Sequence, residues 1–156
     1  MERWQTKKIL LFCRDIDGEI AIYRRILQDF EDIYCAFGGG RALDGMPRGR
    51  RKISRPTESA ALNVPEGARA AMRDLRARID SFAALKAAVL QELSKLPLQQ
   101  KRIVYDFHMS GLRWARISER EHYSVSQCKN IRNRGLDSLG EGFSKNGRIA
   151  KFNCPD

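Results

Sequence analysis

Two long stretches of this chain place an apolar residue at every third or fourth position, and that spacing admits one kind of backbone. Between about Thr6 and Phe37 the series is Ile9, Phe12, Ile16, Ile20, Tyr23, Leu27, Phe30, Tyr34 and Phe37. Between Ala68 and Leu96 it is Met72, Leu75, Ile79, Phe82, Leu85, Val89, Leu93 and Leu96. A helix of about 3.6 residues per turn gathers such positions into one stripe. A strand needs strict alternation, and no useful length of the chain shows it. The expected fold class is all-α. Each stripe has to be covered, and two helices joined by a connector cover one another as an antiparallel hairpin; parallel pairing in a dimer is the rival arrangement. Gly18 weakens the first helix by roughly 1 kcal/mol relative to Ala and marks a place where it could break. Gly38-Gly39-Gly40 is expected to end it, and Pro97 follows the second.

The connector, about 38–67, holds Pro47, Pro56 and Pro65, many glycines and the basic run Arg48, Arg50, Arg51, Lys52 and Arg55. It cannot bury enough apolar surface to offset the entropy of ordering, so a mobile loop is expected. The 156 residues suit one domain or one domain with an appended element. A net charge of +10 points to a polyanionic partner, most often nucleic acid. Cys13, Cys35, Cys128 and Cys154 have no close-pair spacing, and His108 and His122 are the only histidines, so no metal site and no cofactor are expected. Thiols in a reducing cytoplasm fit that pattern. The apolar run Ile9 to Cys13 is shorter than the ~7–15 residues of a signal core, and nothing approaches a membrane span of ~20 residues. A soluble protein of the bacterial cytoplasm, with no membrane partner, is expected.

The C-terminal half is more specific. Three short helices are expected over about Leu98–Met109, Arg113–Glu121 and Val125–Leu139, the first closed by Ser110-Gly111. In the last of them Cys128, Ile131 and Leu139, with Leu136 and Gly135 beside them, form one side. That side faces Trp114, Ile117, Val104 and Phe107 in the expected packing. Ser124 stands at the N-cap position, where its hydroxyl accepts from an orphan amide, and it is counted among the DNA-binding residues. The opposite side carries Ser126, Gln127, Lys129, Asn130, Asn133 and Arg134. Lys donates to guanine acceptors, and Asn or Gln pairs bidentately with adenine, so this side suits base edges in a major groove. Arg113, Arg116, Arg132 and Arg134 suit phosphates, which position a protein without specifying sequence. The expected organisation is a hairpin over 1–96, a helix-turn-helix DNA-binding domain over 97–142 and a basic, patternless tail over 143–156, frayed or resting on the DNA backbone.

Leu96-Pro97, Val104-Tyr105, Gly111-Leu112-Arg113-Trp114, Ile117, Tyr123-Ser124 and Ile131 through Leu136 and Leu139 resemble region four of bacterial sigma factors. That region recognises the upstream promoter element. The whole layout is similar to phage and prophage late-gene regulators of the ArpU and RinA type, whose N-terminal helical pair is interrupted by a loop often containing Met-Pro-Arg-Gly, here Met46 to Gly49. The resemblance implies that Ser126, Gln127, Lys129 and Asn130 occupy the promoter-reading positions. The chain departs from the pattern at Ser118 and Gly135, where Ala is usual, and at Cys128, where a branched aliphatic is usual.

The function expected on these grounds is sequence-specific DNA binding that regulates transcription of phage or prophage genes. Double-stranded DNA is the partner, with RNA polymerase and a second copy of the chain as further partners. No segment resembles the promoter-melting region of a complete sigma factor. A DNA-packaging subunit of small-terminase type is an alternative, as is a module that binds RNA polymerase or a sigma factor without touching DNA. Catalysis is not expected. Gly38-Gly39-Gly40 lacks the Gly-Lys-Ser/Thr and the preceding strand of a phosphate loop. Asp15-x-Asp17-Gly18 lacks the other oxygen ligands of a calcium loop. No Ser, His and Asp set stands out, so no catalytic residue is assigned.

Overall fold

The computed structural model describes residues 1–35 and 64–152. The expected loop, its basic run, Met46 to Gly49 and Cys154 lie wholly or mostly outside those residues. Among the described residues there is no β-strand, and the fold class is all-α. The elements are α1 (Arg3–Cys35), α2 (Glu66–Ser94), α3 (Leu98–Val104) running into a single π turn (Tyr105–Met109), α4 (Trp114–Glu121), α5 (Val125–Lys145) and α6 (Gly147–Ala150). No helix among the described residues is long and apolar enough to cross a membrane.

The break considered at Gly18 does not occur, and α1 passes through it as one helix of 33 residues. Gly18 has nothing within 4 Å of the place a Cβ would take, so its cost is propensity alone. That cost, roughly 1 kcal/mol, is small beside the apolar side chains α1 buries.

Residue contacts divide the chain into two compact units, Met1–Ile20 with Ser81–Asp156 and Ala21–Asp80. The first unit therefore draws on both sides of the boundary expected at Leu96. Its core takes Ile9, Leu10, Cys13 and Ile16 from α1 and Leu85, Val89 and Leu93 from α2, all buried. Ile103 and Val104 come from α3, and Leu136, Leu139 and Phe143 from α5. The second unit is smaller: Ala68 and Met72 are buried, and Arg76 pairs with Glu31 at 2.7 Å.

Residues 143–152 are not a patternless tail. α5 continues six residues beyond the expected end at Leu139, to Lys145, because Phe143 repeats its apolar side and is fully buried. Asn146 then caps α6, accepting from the Arg148 amide at 3.2 Å, and Ile149 is buried. Phe152 lies against Phe12 and Phe82, with ring centroids 5.2 and 6.3 Å away. The Asn146 side chain also donates to Glu92 at 3.1 Å, and Lys95 donates to the same carboxylate at 2.8 Å. These two hydrogen bonds, the Lys95 one first, hold Glu92 below the usual carboxylate range despite its burial.

Gly135 has a reason that helix propensity does not supply. A Cβ there would lie 2.9 Å from Val104 Cγ2 and 3.3 Å from Gln100 Cβ, so the missing side chain lets α3 lie directly on α5. Gly135→Ala is expected to lower stability by about 1–2 kcal/mol, because overpacking outweighs the gain in propensity. Thermal unfolding followed by circular dichroism measures this; a raised melting temperature would mean that α3 moves aside without cost.

Candidate nucleic-acid interface

α4 and α5 are joined by three residues, His122, Tyr123 and Ser124. His122 makes the reversal with a left-handed backbone, φ 57°, the only non-glycine positive φ among the described residues. Such a residue is held by its surroundings rather than by its own preference. Here the Ser118 hydroxyl donates to the Tyr123 carbonyl across the turn, and the Cys128 thiol points at the same oxygen from 3.9 Å. Gln99 of α3 donates to the Tyr123 hydroxyl at 2.8 Å. Ser118, where the resembled pattern has Ala, thus ties the turn together.

Beneath the turn Ile103, Ile117 and Cys128 form a fully buried cluster, with Phe107, Leu112, Trp114, Tyr123 and Ile131 packed around it. This cluster joins α3, α4 and α5 and fixes which side of α5 faces outward. Burial comes first, and the Glu121 charge second, in raising the Cys128 thiol above its ordinary value, so it stays neutral. The π turn closes with the Ser110 amide on the Tyr105 carbonyl at 3.0 Å and the Leu112 amide on the Asp106 carbonyl at 2.9 Å. Gly111, at φ +67°, takes the left-handed conformation that releases the chain toward α4. Two buried carboxylates brace the arrangement: Asp106 pairs with Arg120 at 3.2 Å and Glu121 with Arg102 at 3.3 Å.

Ser124 caps α5 as the sequence indicates. Its hydroxyl accepts from the Gln127 amide at 3.2 Å, and the Gln127 side-chain oxygen accepts from the Ser124 amide at 3.0 Å. This reciprocal box secures the helix start. It also occupies the Gln127 side-chain oxygen, leaving the exposed NH2 group to donate outward.

Ser126, Lys129, Asn130 and Arg134 are exposed along α5, and Arg113 and Arg116 are exposed at the start of α4. From Ser126 to Arg134 the helix rises about 12 Å, roughly the width of a major groove. Arg116 has a loose ion pair with Glu119 at 3.4 Å, both side chains largely in solvent. Lys129 Nζ lies 6.0 Å from the centre of the Trp114 ring, which leans the ammonium toward α4 without burying it.

Arg132 and Asn133 are placed differently. Phe107 and Trp114 stack at 4.1 Å and 22°, and the Arg132 guanidinium lies 5.4 and 5.1 Å from their centres. Its Nε and Nη2 donate to Asn133 Oδ1 at 3.2 and 2.8 Å. Desolvation lowers the Arg132 pKa, with the Arg3 charge adding to it. Arg132 is thus half-buried in a ring stack rather than extended for phosphate, and Asn133 keeps its NH2 for an outside acceptor.

Arg3 belongs to this surface although no sequence motif marks it. Asp137 lies one turn beyond Asn133 on the outer side of α5, where its charge would repel a polyanion. Arg3 meets it with two hydrogen bonds, 2.8 and 2.6 Å, and holds its carboxyl below the usual range. No periodicity argument links positions so far apart in sequence; an acid at 137, the first on α5 after its basic start, was the available signal. No family model, curated protein or solved structure matches the chain.

Proposed function

We propose that this chain is a sequence-specific DNA-binding regulator of transcription that places the start of α5 in the major groove, with α4 braced across the backbone as in a helix-turn-helix. The observation that supports it most is the exposure of Ser126, Lys129 and Asn130 on a helix whose opposite side is locked down by Ile103, Ile117 and Cys128. That anchoring holds the exposed side chains in the fixed register that base reading needs. Arg113 and Arg116, exposed at the start of α4, and Arg134, exposed on α5, provide the phosphate contacts, while Arg132 acts as a positioning residue through the aromatic stack. The net charge of +10 supplies the long-range attraction. Assignment to phage or prophage genes rests on the resemblance of the whole layout, with Met46 to Gly49 between the first two helices, to regulators of the ArpU and RinA type.

Selection of bound fragments from a random duplex pool is expected to enrich one motif. Affinity for it should fall linearly with salt on a log–log plot, with a slope near −0.9 per phosphate contacted. An unenriched pool together with a flat salt response would shift the reading to a module that binds RNA polymerase or a sigma factor. A ring of many subunits in solution would favour the packaging reading.

A further inference from the structure

In the second unit, the part of α1 from Ala21 to Tyr34 is apolar on more of its circumference than the described residues cover. Tyr23, Leu27, Phe30 and Tyr34 are half-buried, and Phe30 stacks on Tyr34 at 6.2 Å. Ile22, Ile26 and Ile33 are instead 55%, 38% and 58% exposed. At about 100° per residue these three fall within an arc of roughly 40°, so they form a seam about 16 Å long rather than scattered exposures. β-Branched residues in such a row, spaced four and seven apart, are what helix pairing uses.

The charges beside the seam say what covers it. Arg25 stands at its N-terminal end and Asp29 and Asp32 at its C-terminal end, all exposed. Two copies laid parallel would put this charged flank on opposite sides of the interface, where Arg25 meets neither acid of the second copy. Laid antiparallel, Ile22 of one copy meets Ile33 of the other, and Ile26 lies level with Asp29. Arg25 then faces Asp29 and Asp32 of the second copy, and the two-fold axis repeats that pairing at the other end. We infer that this stripe is the surface on which a second copy of this chain docks, antiparallel about a two-fold axis. Asp29, beside the seam, favours this register, since the antiparallel pairing brings Arg25 of the second copy within its reach. Asp32, already accepting from Gln28 at 2.8 Å, offers its other oxygen.

The seam is short, so association in the micromolar range is expected rather than an obligate dimer. Sedimentation velocity on the full chain should show the mass doubling as concentration rises through that range. Ile26→Lys should leave a monomer with unchanged helicity. R25D alone, and D29R/D32R alone, should each weaken self-association at least about 10-fold by setting like charges level. Mixed in equal amounts, the two charge variants should recover a dimer. A monomer at every concentration, a dimer indifferent to Ile26→Lys, or charge variants that stay folded but fail to pair when mixed would each overturn the inference. The outcome does not depend on DNA binding, which the pool selection measures separately.

Discussion

Replacing Lys129 and Asn130 together by alanine is expected to weaken binding to the selected duplex by roughly 30-fold or more and to erase preference over a scrambled duplex. Each base-edge interaction contributes about 1–3 kcal/mol of discrimination, and two removed together give at least that effect. Both side chains are exposed, so helicity and melting temperature should hold. Single changes of Arg113, Arg116 or Arg134 to alanine should behave otherwise: affinity falls for every sequence alike, and the log–log salt slope shrinks by about 0.9 for each phosphate no longer neutralised. Arg132→Lys keeps the charge but not the stacked plane over Trp114 and Phe107, so it should lower stability before it alters the salt slope. Gel-shift titrations at several salt concentrations separate these three behaviours. If preference survives the double change, α5 does not read bases and the polymerase-binding alternative takes its place.

What the sequence showed and what it hid divide along the range of the interactions. Spacing of Ile9, Phe12, Ile16 and Ile20 identified a helix because each turn repeats the same local signal, and Ser124 with Gln127 identified a helix start for the same reason. The outward set Ser126, Lys129 and Asn130 followed from the inward set Cys128 and Ile131, since one fixes the other by geometry. Long-range partners left no such trace. The Arg3–Asp137 pair, the Asn146–Glu92 bond and the burial of Ile149 depend on tertiary proximity. Gly135 stood out in sequence only as a departure from Ala and is a point of close approach to Val104. Arg132 looked like any surface cation until the Phe107–Trp114 stack showed where its guanidinium goes. The left-handed His122 also escaped, because the backbone there is set by what Tyr123 binds on either side.

Stability should also depend on pH in a window set by one residue of the π turn. His108 is buried, and neither ring nitrogen has a hydrogen-bond partner among the described residues. Burial, then the charges of Arg132 and Lys7, push its pKa down from 6.5 to about 4, so the folded chain holds it neutral. The unfolded chain binds a proton at the ordinary histidine pKa. Between those values the unfolded state carries more protons, and stability therefore rises with pH. This contribution is complete above about pH 6.5 and declines as pH falls toward 4, by about 2 kcal/mol at pH 5 and roughly 3 kcal/mol at pH 4. Carboxylates held low by partners, such as Glu92 and Asp137, retain their contribution through the upper part of that window and give it up only further down in pH. The fall between about pH 6.5 and 5 therefore reports His108. Urea unfolding across that range should show the decline, and His108→Leu should flatten it whatever the variant's absolute stability. An equally steep fall in His108→Leu would place the titrating group elsewhere and leave the buried ring as packing alone.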